Sequence, residues 1–401
     1  MLGAATLLLA GCGSSEGESG GGASESAAPL KVALITPSAG LFAQYGTDAI
    51  DAWQYAADEI NAKGGIDGHR IELIKVNTDN TPAATVRAAR KVVTQQKAQA
   101  ISAIISSAEV AALQQQLGSM NAILINTYAI DDVLRGETCS PAAFAALNST
   151  GMGSVATIEA LSELPNKRWA VIATDVLAGH GAADQFVEGM KKAGKTVDPV
   201  LFVPPQTQDY GSYISQLVDS GADGLFGVIF GTDAVTFMNQ ASQFKLFDRI
   251  KTAAGLNMIS DQFFETLGDK ALGFHSVVRY SPNWDFPLNK TFVEGWKAKH
   301  GQVPYWAHSD NYLGAELLAA AVAKAKSVEP ARLRDALNGL TFDSIAGNVT
   351  MRPEDHQLLR PTYFGEVIKD PDGIAGLGWK ISGEYSAEQT TPQPNPDCKM
   401  G

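Results

Sequence analysis

The sequence predicts an α/β fold with two doubly wound parallel-sheet lobes. Short apolar, β-branched segments alternate with helical patterns of roughly 10 to 15 residues, which is typical of parallel sheets with helices on both faces. This alternation runs through residues 30–125 and restarts after the loop around Cys139. The chain has 401 residues, more than one hydrophobic core usually supports, which also indicates two domains.

The predicted strands of the first lobe are short and apolar, and helical patterns separate them. The apolar face formed by Ala49, Trp53 and Ile60 ends at the helix-stopping pair Gly64-Gly65. Pro82 lies where a first helical turn tolerates proline, so it opens the next helix. The predicted strands are 31–35, 71–76, 101–105 and 123–125, and a further helix is predicted over 110–117.

The second series has the same character and continues to the C-terminal region. Helices are predicted over 154–164, 182–193, 213–218 and 234–244, and strands over 169–173, 200–203 and 225–230. A strand over 274–280 follows, then helices over 290–300, 312–325 and 333–340, and strand-like segments over 363–368 and 374–381. No separate third domain is expected, because these segments do not restart the alternation.

Composition and charge narrow the functional classes. Apolar residues make up 45% of the chain and charged residues 18%, which fits a well-buried globular protein. The net charge of −12 argues against a nucleic acid partner, because such proteins need a basic face. No Cys-x-x-Cys, P-loop or His-x-x-x-His spacing occurs, so neither a metal nor another cofactor is expected.

The N-terminal segment predicts export and a lipid anchor. Residues 1–10 form an apolar run too short to span a membrane, and Leu9-Ala10-Gly11-Cys12 resembles a bacterial lipobox with Cys12 as the acylated residue. The Gly/Ser-rich segment 13–26 would act as a flexible tether. We therefore expect an extracytoplasmic protein held at the outer face of a bacterial membrane by lipid alone. The alternative is an apolar terminus with an unrelated cysteine.

The two remaining cysteines, Cys139 and Cys398, are candidates for a disulfide in an exported protein. Cys398 lies in a Pro-rich tail with few apolar residues, and a covalent link would hold such a tail in place. The alternative is two free or buried thiols.

Several motifs resemble the type I periplasmic binding proteins, specifically the solute-binding lipoproteins of ABC transporters for branched-chain amino acids and aromatic acids. Residues 59–68, Glu-Ile-Asn-Ala-Lys-Gly-Gly-Ile-Asp-Gly, are the most specific match, and 40–46 resemble the family's turn after the first strand. Ser106-Ser107-Ala108 and Gly231-Thr232-Asp233 stand where the family keeps pocket residues, and Cys139-Ser140-Pro141 resembles the aromatic-acid branch. The resemblance extends over nearly all of 30–398.

This resemblance implies a Venus-flytrap arrangement in which the chain crosses a hinge several times. The implied division is 1–29 as signal and tether, 30–148 with 281–345 as lobe 1, 149–280 with 346–385 as lobe 2, and 386–401 as a tail clipped to lobe 1. The implied function is binding of a hydrophobic or branched-chain amino acid between the lobes of a monomer, followed by delivery to ABC transporter membrane subunits. An aromatic carboxylic acid is the alternative ligand.

Candidate ligand-binding residues follow from the rule that ligands of open α/β sheets bind at the carboxyl ends of strands. Ser106, Ser107 and Thr127 could bind a carboxylate, with one serine also capping the helix. Asp233 could bind an α-ammonium group, and an N-cap of the following helix is the alternative. His180 resembles a family contact by position, and an exposed loop histidine is the alternative. The candidate aromatic residues are Phe42, Tyr45, Tyr128, Tyr210 and Trp306.

Two functions of other classes remain as alternatives. The same clamp could be an anchored ligand-sensing ectodomain without a transporter. An exported hydrolase is disfavoured, because no nucleophile, base and orienting group can be assembled from the sequence. We therefore expect a binding protein and not an enzyme.

Overall fold

The computed structural model describes residues 27–400. The expected lipidation site at Cys12 and the tether 13–26 lie outside the described residues. Within them, the predicted α/β fold with two parallel-sheet lobes is confirmed.

Lobe 1 is built on a five-stranded parallel sheet of order β2-β1-β3-β4-β5. Its first strand is buried along almost its whole length because helices cover both faces of the sheet. The elements in chain order are β1 Leu30–Thr36, α1 Ala43–Ala62, β2 Ile71–Asn77, α2 Pro82–Gln96, β3 Ala100–Ser102, α3 Ser107–Leu117, β4 Ile123–Asn126, a 3₁₀ turn Asp132–Arg135 and β5 Ala143–Ala145.

Lobe 2 begins at α4. The segment from α4 to β10 contributes five parallel strands to a seven-stranded sheet. The elements are α4 Thr150–Ser162, β6 Arg168–Thr174, α5 Leu177–Lys192, β7 Thr196–Val203, α6 Gly211–Asp219, β8 Gly224–Val228, α7 Gly231–Gln243, α8 Leu246–Arg249, β9 Thr252–Gly255, α9 Phe264–Leu267 and β10 His275–Val278.

The chain then returns to lobe 1. The elements of this return are α10 Pro287–His300, α11 Trp306–Ala325, α12 Pro330–Leu337, β11 Thr341–Ser344, β12 Gly347–Met351 and β13 Leu358–Leu359. Helix α11 packs against α1, and β11 to β13 form a small antiparallel sheet. Finally β14 Thr362–Ile374 and β15 Leu377–Tyr385 add an antiparallel hairpin to the lobe 2 sheet, and the short helix α13 Ala387–Thr390 leads into the tail.

The last crossing between the lobes lies later than the sequence suggested. It falls between Leu359 and Thr362 instead of near Ala346. The physical reason is that Val349, Met351 and Leu358 are buried in the same hydrophobic cluster as β1 and α11. The small sheet β11–β13 therefore belongs with lobe 1.

The tail is fastened where the lobes meet. Cys139, in the lobe 1 loop before β5, and Cys398 form a disulfide with a Cα–Cα distance of 5.5 Å. On the way the tail also contacts lobe 2, because Thr390 Oγ1 lies 3.1 Å from Thr362 Oγ1 and α13 packs on α4. The predicted disulfide is present, and the tail reaches both lobes.

None of the helices in residues 27–400 is long and apolar enough to cross a membrane.

Candidate functional site

A cavity of about 440 Å³ lies between the two lobes. Lobe 1 contributes the segment before and within the first turn of α1, the turn before α2, the first turn of α3, and Tyr128 and Trp306. Lobe 2 contributes the start of α5 and the segments that follow β7, β8 and β9. The described residues that line the cavity, from both lobes, are Ala39, Gly40, Leu41, Phe42, Tyr45, Asp79, Asn80, Pro82, Ile105, Ser106, Ser107, Ala108, Tyr128, Ile130, Val176, Leu177, Ala178, Pro205, Gln206, Phe230, Asn257, Arg279 and Trp306.

The first turn of α3 forms a polar corner of this cavity. Ser106 is the N-cap residue, and its backbone N–H donates to Glu109 Oε2 at 3.3 Å. Ser107 Oγ accepts a hydrogen bond from Asp131 N at 3.3 Å, so its own proton is free to be donated. Unpaired N–H groups and the helix dipole make such a helix start favourable for an anion.

Aromatic rings form an adjoining wall. Tyr45, Tyr128 and Trp306 contact one another with ring centroids 5.5 to 5.8 Å apart. Phe42 stacks on Tyr45 at 5.8 Å. Burial raises the pKa of Tyr45 to about 12, so its hydroxyl stays protonated at neutral pH. The wall is therefore apolar and uncharged, and it suits a flat hydrophobic group.

Arg279 is the one cationic side chain among the described lining residues. Its guanidinium carbon lies 4.0 Å from the ring centroid of Trp306, and Nη2 donates to Asp310 Oδ2 at 2.6 Å. The same aspartate also pairs with Arg360 at 2.8 Å, so two cations share one buried carboxylate. Arg279 Nε is buried without a partner. Asp261 is a second buried carboxyl group in this region, so Arg279 and Arg360 lie near two acidic residues.

Two hydrogen bonds join the lobes across the cavity. Gly231 N donates to Tyr45 Oη at 3.3 Å, and Trp306 Nε1 donates to Ser260 Oγ at 2.6 Å. Tyr45 and Trp306 belong to lobe 1, whereas Gly231 and Ser260 belong to lobe 2. The described arrangement is therefore a closed clamp.

Six of the ten predicted ligand-binding residues line this cavity, and the structure brings them together from separate parts of the chain. They are Phe42, Tyr45, Ser106, Ser107, Tyr128 and Trp306.

The other four do not line the cavity. Thr127 is fully buried and donates its hydroxyl to Asn311 Oδ1 at 2.8 Å, because it faces α11. Tyr210 is buried in the lobe 2 core against Phe237. His180 pairs with Asp175 at 2.7 Å and stacks on Phe202, one turn away from the lining residues of α5.

Asp233 does not line the cavity but contacts a residue that does. Its Oδ2 accepts a hydrogen bond at 2.7 Å from the backbone N–H of Gln206, which does line the cavity. Burial raises the pKa of Asp233, and the Gln206 hydrogen bond opposes this shift. Oδ2 of this carboxylate therefore positions the Gln206 loop, and the contact with an ammonium group stays a prediction.

Arg279 was missed by the sequence analysis, which placed it inside a predicted strand over 274–280. The strand β10 ends at Val278, and Arg279 starts the crossing to lobe 1. The available signal was an arginine directly after the buried pair Val277-Val278, at the end of the predicted strand. Leu177 and Gln206 were also missed, because neither residue type distinguishes a pocket from a surface loop.

Comparison with known proteins agrees with this geometry. The family model described as "Periplasmic binding protein" matches residues 29–372. The chain therefore belongs to the periplasmic binding protein family.

Curated relatives and solved structures extend this result. "Leu/Ile/Val-binding protein homolog 7" of Brucella suis is 26% identical over 352 residues, covering 82% of this chain and 85% of that protein. "Leu/Ile/Val-binding protein homolog 8" of Brucella abortus is 27% identical, covering 86% and 89%. An ABC transporter solute-binding protein of Rhodopseudomonas palustris BisB5, solved with 3,4-dihydroxybenzoic acid, has a TM-score of 0.82 at 22% identity, covering 90% and 98%. Another from R. palustris, solved with benzoate, has a TM-score of 0.84 at 19% identity, covering 93% and 100%.

Proposed function

We propose that this protein is the solute-binding component of an ABC importer and that it binds a small aromatic carboxylate between its lobes. The observation that carries the proposal is the composition of the cavity: aromatic rings beside a helix start and a guanidinium group. Two similar structures were solved in complex with 3,4-dihydroxybenzoic acid and with benzoate, which supports the same ligand class here.

The polar corner supports binding of the carboxylate. Ser106, Ser107 and the following backbone amides of α3 offer neutral donors at the positive end of a helix dipole. Arg279 adds positive potential from the hinge side of the same cavity. An anion held by such donors in a low-dielectric site gains more from each hydrogen bond than it would in water.

A hydrophobic amino acid is the second candidate, and the names of the Brucella relatives favour it. Its ammonium group would pair with a carboxylate, and Asp233, which is not among the described lining residues, holds the Gln206 loop through Oδ2. Asp79 is the one acidic residue among the described lining residues. Hydrogen bonds from Thr81 lower the pKa of Asp79, so it stays ionised. Because Asp79 is exposed, an ion pair there would contribute only a little.

Export, anchoring through Cys12 and delivery to transporter membrane subunits complete the proposal. The lipobox-like segment at 9–12 supports the anchor. Isolation of the processed protein from membranes, with mass spectrometry of the Cys12 peptide, tests this part. Co-purification of membrane subunits distinguishes an importer from an anchored sensor, which would bring no such partner.

Isothermal titration calorimetry with matched ligands tests the ligand class. Benzoate and 4-hydroxybenzoate should bind with one-to-one stoichiometry, whereas neutral benzamide should bind at least tenfold more weakly. Leucine, isoleucine and valine should bind more weakly than either acid. Tighter binding of leucine, with loss of that binding in Asp79→Asn, would establish the amino-acid alternative. Bound ligand should be recovered chemically unchanged, since turnover would indicate an enzyme.

A further inference from the structure

The cleft, the cavity of about 440 Å³ between the lobes, receives few polar side chains from lobe 2. The segments that follow β6 and β8 contribute apolar lining residues, which are Val176, Leu177, Ala178 and Phe230. The uncharged polar side chains among the described lining residues of this lobe are those of Gln206 and Asn257. Gln206 is exposed, whereas Asn257 is half-buried. A ligand held between the lobes therefore meets Asn257 as the more enclosed of these two amides.

The side-chain amide of Asn257 is accessible from the cleft and has no protein partner. Within residues 27–400 it makes no hydrogen bond, and neither of its polar atoms belongs to the fully enclosed atoms that lack a partner. The residues on either side, 253–256 and 258–261, are all buried. Because its neighbours in the chain are enclosed and Asn257 itself lines the cleft, its accessible surface opens towards the ligand.

This amide lies beside the aromatic wall. Asn257 follows β9, which ends at Gly255, and together with Trp306 and Arg279 it also lines a small cavity that adjoins the cleft. The loop that carries Asn257 is fixed against the wall, because Ser260 Oγ accepts a hydrogen bond from Trp306 Nε1 at 2.6 Å. A ring placed on the wall therefore brings its substituents towards the Asn257 amide.

The backbone and the chemistry of Asn257 both suit contact with a hydroxyl group. Its φ of +65° lies in the left-handed region, which asparagine adopts more readily than most residues with a side chain. Its amide group offers N–H donors and an acceptor oxygen. A phenolic hydroxyl donates one hydrogen bond and accepts others, so it can pair with this amide in either direction.

We propose that Asn257 binds a hydroxyl group on the ring of the aromatic carboxylate and thereby selects hydroxylated aromatic acids. This inference rests on the proposed function, in which the carboxylate is held at the start of α3 and the ring lies on the wall. An unsubstituted ring would leave the amide unpaired in the closed site, and sites with such a polar group discriminate against ligands that lack the hydroxyl. The hydroxyl also gives the ligand a polar contact with lobe 2, which favours closure.

Titration calorimetry with benzoate, 3-hydroxybenzoate, 4-hydroxybenzoate and 3,4-dihydroxybenzoate tests the proposal. In the wild type, at least one hydroxylated acid should bind about fivefold more tightly than benzoate, or better. Asn257→Gly removes the amide and suits the left-handed backbone. It should abolish this preference by weakening the hydroxylated acid, while the affinity for benzoate stays within about twofold. Asn257→Ala, which keeps the Cβ atom, should give the same change of preference.

Lys245→Gly is the matched control. Lys245 has a similar φ of +54°, is exposed in lobe 2 and is not among the described lining residues of the cleft, so its replacement should leave all affinities unchanged. Equal affinities for benzoate and the hydroxylated acids in the wild type would overturn this inference alone. Equal losses for benzoate and the hydroxylated acids in both Asn257 variants would do the same. Absence of binding of all four acids to the wild type would overturn the proposed function as well.

Discussion

Arg279 follows directly after the last residue of β10 and reaches the cavity against the indole ring of Trp306. Removing it should weaken binding of a carboxylate, because an anion loses a nearby cation. Arg279→Gln should raise the dissociation constant for 4-hydroxybenzoate about 10- to 100-fold, since a hydrogen bond to a charged group contributes about 1.5 to 3 kcal/mol. Arg279→Lys, which keeps the charge, should lose less.

The matched control is Arg168→Gln, which removes an arginine from an exposed pair with Asp198 far from the cavity lining. It should leave the affinity unchanged. Titration calorimetry of the three variants, with thermal unfolding curves to verify folding, measures the difference. An unchanged affinity in Arg279→Gln would contradict the role given to this residue.

Asp261 lies buried beside Arg279, and burial raises its pKa to about 7. In the unfolded chain the carboxyl group titrates near 3.9. The folded state therefore binds the proton more tightly, and this contribution to stability is complete below about pH 4 and is lost as pH rises to about 7. Asp261→Asn should remove this loss of stability with rising pH. The urea concentration at the midpoint of unfolding should therefore change less in the variant than in the wild type between pH 4.5 and 8. An identical pH dependence in both proteins, with the exposed Asp184→Asn as control, would contradict this assignment.

The limits of the sequence analysis at this scale are visible in Thr127 and Asp233. Both follow predicted strands at the correct edge of a sheet, and strand position alone does not reveal which way a side chain turns. Asn311, the partner of Thr127, lies 184 residues away, and Gln206, the partner of Asp233, lies 27 residues away. Such distant partners leave no local pattern. Ser106 and Ser107 were predictable because a helix start can be recognised from neighbouring residues.

At the scale of elements, the tail is held by one covalent bond, by the contact between Thr390 and Thr362, and by packing of α13 on α4. The disulfide closes a loop with a sequence separation of 259 residues. In the chain-entropy model a link of this length stabilises the fold by about 5 kcal/mol.

The double variant Cys139→Ser/Cys398→Ser should therefore unfold at a lower temperature and expose the tail to proteases. Binding of 4-hydroxybenzoate should stay within about twofold, because no tail residue is among the described residues that line the cleft. Calorimetric unfolding and limited proteolysis measure the two effects. Unchanged stability in the double variant would show that the tail is held by other contacts.

Long helices and buried strands were predictable because their periodicity is local. The helices at 290–300 and 312–325 correspond to α10 and α11, although α11 begins earlier, at Trp306. Strand β9 and the hairpin β11–β12 were missed, since β9 contains no large apolar residue and two of the four residues of β11 are exposed and polar. Short segments carry too few apolar positions for a period to be read.

At the scale of the molecule, the closed clamp depends on close backbone contact between the lobes. Gly231 has a φ of +58°, and a Cβ atom there would collide with the backbone carbonyl oxygen of Leu41 from the other lobe. Gly231→Ala should therefore prevent full closure and weaken ligand binding at least tenfold. Small-angle X-ray scattering should show no compaction of this variant when ligand is added.

Gly221→Ala is the matched control. Gly221 has a similar φ of +67°, but a Cβ atom there would meet nothing within 4 Å. In both variants the Cβ atom disfavours the left-handed backbone conformation, which destabilises the folded state by about 1 kcal/mol. A similar loss of affinity in both would assign the effect to backbone strain instead of to lobe closure.

The two-lobe architecture was predictable because it repeats one local pattern twice, whereas the last hinge crossing was not. The segment from Ala346 to Leu359 joins lobe 1 because its apolar residues are buried in the same hydrophobic cluster as distant residues of β1 and α11. Which lobe such a short segment packs against is decided by these long-range contacts.

A crystal structure of the complex with 4-hydroxybenzoate tests the central claim most directly. We expect the carboxylate within hydrogen-bonding distance of the first turn of α3, near Ser106 and Ser107, with the ring against Tyr45, Tyr128 and Trp306. A ligand whose carboxylate points away from α3 and Arg279, or one bound outside the space between the lobes, would contradict the account.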